Sequence, residues 1–204
     1  MLSRKHEVTV FEAEQWVGGH THTLDVVWKG QRHAIDTGFI VFNDWTYPNF
    51  IRLLDQLKVP SQPTEMSFSV HDPMTGLEYN GHDLNTLFAQ RSNLVSPGFW
   101  GMIRDILRFN RQALADLDNQ RIDASTTLGD YLQANRYGQR FIDHYIVPMG
   151  SAIWSMSRAD MLHFPLEFFV RFCRNHGLLS VNQRPQWRLS LIHISEPTRQ
   201  AEIS

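Results

Sequence analysis

The chain is poor in the features that assign many proteins at sight. It has one cysteine, Cys173, among 204 residues. A lone thiol closes no internal disulfide and builds no zinc cluster. That favours a reducing compartment, and the expected location is the cytoplasm. No apolar run is long enough to span a bilayer. Nothing near the start resembles a signal peptide, because Arg4, Lys5, His6 and Glu7 interrupt the first apolar residues. Charge is balanced, with 19 Lys+Arg against 21 Asp+Glu and a net charge of −2. No basic block is present to track a phosphate backbone, so nucleic acid is excluded as a partner. Internal repeats and low-complexity tracts are also missing. No G-x-S-x-G elbow occurs, which argues against a hydrolase built on Ser155, Ser157, Asp160 and His163. A final absence bears directly on function. The chain has no G-x-G-x-x-G, the loop that carries pyrophosphate in dinucleotide-binding folds.

What is present is the rest of such a fingerprint. The stretch "VTVFEAEQWVGGHTHT", residues 8–23, runs from an apolar segment to an acid, Glu12, and then to Gly18 and Gly19. A carboxylate at a strand end can accept hydrogen bonds from ribose hydroxyls. Paired glycines let the backbone approach a ligand where a side chain would collide. His20, Thr21, His22 and Thr23 add donors beside that bare backbone. In dinucleotide folds the acid follows the Gly-rich loop by about twenty residues, and only eleven residues precede Glu12. Read without a relative, the same stretch is equally a strand end followed by a turn. His20-x-His22 also has the residues of a metal site, with His33 or Asp36 as a third ligand.

The hydrophobic share of 42% with 20% charged residues is that of a globular protein with a sizeable core. Val8 to Phe11 read as a strand. "HTLDVVWKGQRHAID" reads as a β-hairpin turning at Lys29-Gly30. "YPNFIRLLDQLKV" reads as a helix, with Pro48 in its first turn and Phe50, Leu53, Leu54 and Leu57 at helical spacing. "MSFSVHDPMTGLEYN" is a second hairpin around Asp72 to Gly76. Later helices start at Ser96-Pro97, at Thr127 with Asp130 as a capping box, and at Pro165, the last ending near His176-Gly177. Phe99 to Leu117, with Arg104, Arg108 and Arg111, reads as an ordinary solvated helix, though contact with a membrane surface stays open.

The order of strand, acid, Gly-Gly, polar cluster, hairpin and "DTG" resembles the superfamily of flavin-containing amine oxidases, protoporphyrinogen oxidases and phytoene desaturases. "GGHTHT", "AIDTGFIVFN" and "YPNFIRLLDQL" resemble a bacterial group of NAD/FAD-binding oxidoreductases within it. The likeness covers nearly all of residues 1–188. It implies an α/β chain: a partial Rossmann-like FAD-binding domain over 1–80, lacking first strand and Gly-rich loop, and a mainly helical part of a substrate domain over 81–188. It implies FAD as cofactor. Glu12 would hold the adenosine ribose, and Gly18, Gly19, His20 and Thr21 would lie along the pyrophosphate and flavin side. Asp36, Thr37 and Gly38 would pass close to the flavin ring. His20 departs from the superfamily, which usually has Arg there, and imidazole has no fixed charge. "VPMGSAIWSMSRADMLHFPLEFFVRF" resembles the substrate segment, so Trp154, Phe164, Phe168 and Phe172 would border an apolar, lipid-like or amine substrate. Aromatics at this spacing more often form core. A nucleotide-binding module without chemistry and a metal enzyme using His20 and His22 are the rival readings.

The last sixteen residues, 189–204, differ in character. Leu189 through Arg199 resemble, residue for residue, the translation of a transposon-derived sequencing adapter. They are read as a non-native tail, as fusion scars are, and His193 and Ser195 are not recruited to any site. With the missing Gly-rich loop, the tail makes the chain read as a fragment of a longer frame.

Overall fold

The computed structural model describes residues 2–17, 19, 22–37, 41–180 and 184–190, with Asp36 described by its backbone alone. Seven strands follow in chain order among these residues: β1 (Thr23–Trp28), β2 (Gln31–Asp36), β3 (Val41–Asn43), β4 (Ser61–Thr64), β5 (Ser69–Asp72), β6 (Leu77–Asn80) and β7 (Trp187–Ser190). The helices are α1 (Pro48–Leu57), α2 (Leu84–Leu87), α3 (Pro97–Asp118), α4 (Leu128–Ala134), α5 (Gln139–Phe141), α6 (Val147–Trp154), α7 (Arg158–Leu162) and α8 (Leu166–Asn175). The chain therefore mixes helices with small sheets, and every strand pair described is antiparallel. Contacts divide it into two units, Met1–Thr64 with Gln186–Ser204, and Glu65–Pro185.

In the first unit, β1 and β2 form the expected hairpin. Lys29 (φ 52°) and Gly30 (φ 79°) are both left-handed, as the two-residue turn that matches strand twist requires. The register pairs Leu24 with Ile35, Val26 with His33 and Trp28 with Gln31. The strand expected over Val8–Phe11 does not form. Those residues are irregular, and Val10 and Phe11 are 73% and 93% exposed. A strand persists only when a neighbour takes its N–H and C=O groups, and no described residue does so here.

A three-stranded sheet has the order β3-β7-β4. Its centre, β7, pairs Leu189 with both Val41 and Gln62, and Ser190 with Ser61. Two residues of the tail thus sit in a ladder made by backbone groups, which most side chains tolerate. Phe42 is buried from this sheet and meets Phe50 of α1 edge-on, ring centres 5.2 Å apart. Asn43 is fully buried. Its Oδ1 accepts from the Trp45 and Thr46 amides and the Thr46 hydroxyl, which fixes the turn into α1.

The second unit holds the larger core. Phe99 and Phe109 of α3, Phe141 of α5 and Phe169 of α8 are each fully buried, which stabilises by roughly 1.5–3 kcal/mol per ring. The caps read from sequence are in place. Ser96 accepts from the Phe99 amide at the start of α3, and Thr127 and Asp130 form a reciprocal capping box on α4. Buried Asp105 of α3 accepts from the Gly138 amide at 2.8 Å and pairs with Arg108 at 3.2 Å. The Arg108 guanidinium lies 3.9 Å over the Tyr137 ring.

One irregularity has a sequence cause. Between α5 and α6 the chain makes a π turn, Ile142–Ile146, in which the Val147 amide reaches back to the Ile142 carbonyl. Pro148 then has no N–H to give the carbonyl four residues earlier, that of His144. The Tyr79 hydroxyl donates to that carbonyl instead, at 2.6 Å. Asp72, from the same β5–β6 hairpin, stands 3.5 Å from His144 Nδ1. Burial raises the Tyr79 hydroxyl pKa far above its ordinary value, so it stays a donor.

Candidate functional site

The described residues of the fingerprint stretch meet at the open end of the β1–β2 hairpin. Glu12 Oε1 accepts from the amides of Ala13 (2.8 Å) and Glu14 (3.0 Å), so the exposed carboxylate is oriented by its own turn. Trp16 stacks on His22, ring centres 4.5 Å apart, and its indole N–H donates to the Gly19 carbonyl at 3.3 Å. Thr37 reaches them from the far strand. Its hydroxyl and amide both donate to the His22 carbonyl, at 2.8 and 2.9 Å. Gly19 has φ +60°, and no atom lies within 4 Å of where a Cβ would stand. His22 Nδ1 is buried and has no hydrogen-bond partner among the described residues.

Trp16, Gly19, His22 and Thr37 therefore come together, with Glu12 a few residues along the same loop. Gly18, His20, Thr21 and Gly38 lie outside the described residues, as does the side chain of Asp36. Trp16 is the residue that pattern reading passes over. Its signal was an aromatic two residues ahead of Gly-Gly, directly after Glu14 and Gln15.

A second candidate surface lies in the other unit. Trp154, at the end of α6, packs against Phe164 (4.8 Å), Phe172 (4.7 Å), Phe169 (5.7 Å) and Phe168 (6.4 Å between centres). Phe164, Phe168 and Phe172 recur every four residues along one face, and His176 continues it, stacked on Phe172 at 3.9 Å. Phe169 is fully buried whereas Phe168 is 55% exposed. The cluster is thus core on one side and open apolar surface on the other.

The hydrolase reading finds less support, while the metal reading rests on His20, which lies outside the described residues. Ser157 caps α7, its hydroxyl on Asp160 at 2.6 Å, and His163 Nδ1 is engaged by the Ala159 carbonyl. Among the described residues no three His, Cys, Asp or Glu side chains gather in a group that could hold a metal. Cys173 is buried, its thiol pushed up to about 12 by burial, which keeps it protonated and unreactive.

Comparison with known families decides the class. A sequence model of the flavin containing amine oxidoreductases matches residues 1–180. The chain belongs to that family. No curated protein matches it. As a flavin containing amine oxidoreductase the protein is a flavin-dependent oxidoreductase, and its cofactor is FAD. The loop's donor set fits the adenosine-diphosphate side of this cofactor. An exposed carboxylate suits a ribose diol, a bare left-handed glycine admits a phosphate to the backbone, and the orphaned His22 nitrogen lacks only a polar partner. Among the described residues no helix is long and apolar enough to cross a membrane.

Proposed function

We propose that this flavin containing amine oxidoreductase oxidises a C–H or C–N bond of an apolar, lipid-like or amine substrate. Residues 1–80 contribute to the FAD-binding domain of a Rossmann-like fold, and residues 81–188 to the substrate domain. Glu12 holds the adenosine ribose. Gly18, Gly19, His20 and Thr21, joined by His22, line the pyrophosphate, and Asp36, Thr37 and Gly38 run beside the ring. Bound there, FAD supplies the two-electron acceptance. The chain's own part is to hold it and keep water from it. Thr37, by pinning the His22 carbonyl, fixes the loop on which the ribose and phosphate contacts depend. Trp154, Phe164, Phe168 and Phe172 offer the apolar face against which a lipid-like or hydrophobic amine chain can lie.

The observation that carries this reading is the meeting of these residues, where a bare Gly19 backbone and a His22 nitrogen unpartnered among the described residues stand beside Glu12. Protein expressed from the native gene tests it. The expected result is flavin absorbance that bleaches with dithionite, and reduction of the flavin under anaerobic addition of an apolar amine or an unsaturated fatty acyl compound. Glu12→Ala should weaken FAD retention about tenfold, the loss expected for a charge-assisted hydrogen bond. A colourless protein that stays colourless with added FAD would sink the proposal.

A further inference from the structure

A cleft of about 520 Å³ opens in the second unit between α4, α5 with its π turn, and α7. It lies within the roughly 300–1,000 Å³ range of small-molecule sites. Its floor is apolar, from Leu132, Ile142 and Leu162 with Tyr137 beside them. Its rim is polar and unevenly satisfied. Asp130 is occupied by the Thr127 hydroxyl at 2.6 Å. Arg158 holds Asp143 at 2.5 Å, and the Gln139 amide donates to both oxygens of the same carboxylate at 2.9 Å. His163 donates Nδ1–H to the Ala159 carbonyl at 2.8 Å, which turns Nε2 toward other partners. Arg136 is different. It lines the cleft, and the residue is exposed to solvent. While its backbone amide donates to the Gln133 carbonyl and its carbonyl accepts from Arg108, its guanidinium has no hydrogen-bond or ion-pair partner among the described residues.

An apolar floor beneath one uncompensated guanidinium selects for charge and shape together. The guanidinium fork matches a carboxylate through two parallel N–H···O bonds. The floor rewards an apolar body of a few carbons. We infer that this cleft binds a small organic carboxylate, its charge on Arg136 and its apolar part on Leu132, Ile142 and Leu162. The site is independent of the flavin loop and of the reaction proposed above.

The test uses the full chain with benzoate as the probe and benzamide, of the same shape without the charge, as its comparison. Titration followed by backbone amide NMR is expected to show saturable shifts at residues 132–142 and 158–163 with benzoate. Benzamide should bind at least about tenfold more weakly, the loss of a charge-assisted pair. Arg136→Gln should reduce benzoate affinity about tenfold and leave benzamide unchanged, whereas Arg174→Gln, on an α8 residue paired with Asp118, should change neither. If Arg136→Gln perturbs the fold, Arg136→Lys serves. A point charge without the fork should give an intermediate loss. Equal binding of the two probes, shifts confined to other regions, an Arg136 variant that binds benzoate normally, or no saturable shift with benzoate would each overturn the assignment.

Discussion

Tyr79 shows how one hydroxyl can answer for a missing backbone group. Pro148 leaves the His144 carbonyl without its helical donor, and the Tyr79 hydroxyl sits 2.6 Å from it. Tyr79→Phe keeps the ring against Phe99 (centres 5.7 Å apart) and removes only the bond. The expected loss is about 1–2 kcal/mol, since a part-buried carbonyl is left unpaired. Pro148→Ala restores an N–H at the position that proline empties. In that background Tyr79→Phe should cost less, with a coupling of at least about 0.5 kcal/mol in a double-mutant cycle followed by urea unfolding. Additive losses would show that the hydroxyl and the proline act separately. The same residue-level reasoning applies to the loop proposed to hold the cofactor. The resemblance names Glu12, Gly19 and Thr37 for that loop, whereas Trp16 was not legible, because stacking on His22 depends on a loop path that no spacing rule encodes.

At the scale of elements, close approach decides where local propensity would mislead. Gly129 lies in the first turn of α4, where alanine would normally favour the helix by up to about 1 kcal/mol. A Cβ there would stand 2.9 Å from the Leu162 carbonyl oxygen and 3.3 Å from the Leu162 Cβ, both at the end of α7. The carbonyl belongs to a backbone and yields little, so strain of about 1–3 kcal/mol outweighs the propensity gain. Gly129→Ala should therefore lower the Tm; a rise would mean that α7 moves freely. Helix starts were readable for the opposite reason, that they are local: Pro48, Ser96, Thr127 and Pro165 each act within one turn of themselves. The hairpins were readable too, from Lys29-Gly30 and from Asp72 to Gly76. The β3-β7-β4 sheet was not. It joins residues 41–43 to residues 187–190 and 61–64, and strands of three or four residues carry too little alternation to announce a distant partner. The π turn was equally silent, since one extra residue leaves the hydrophobic pattern intact, and Pro148 is its only trace.

At the scale of the whole molecule, the described titratable groups whose pKa burial raises lie in one unit. Burial is the leading cause that raises the hydroxyls of Tyr79, Tyr131, Tyr137 and Tyr145, the last two to about 12, and the Cys173 thiol likewise to about 12. All five belong to Glu65–Pro185. Unfolded tyrosine titrates near pH 10 and unfolded cysteine near about 8.5. Because the folded values are higher, the folded unit keeps protons that the unfolded chain releases. Its stability is then full below about pH 8.5, falls as the thiol and then the phenols ionise in the unfolded state, and keeps falling up to the folded values. Native-state hydrogen exchange can read this by unit. At neutral pH the amides of α3 and α8, which carry the fully buried Phe109 and Phe169, should exchange slowest, and those of the exposed β1–β2 hairpin orders of magnitude faster. After correction for the intrinsic rate, raising the pH to about 10.5 should lower the protection of α3 and α8 while the hairpin, which has no buried tyrosine or cysteine, changes little. Spectrophotometric titration should show the buried phenols ionising together with loss of helix signal. Ionisation of all five tyrosines at pH 10, with protection of α3 and α8 intact, would mean that these hydroxyls are open to water and that the core is looser than its packing requires.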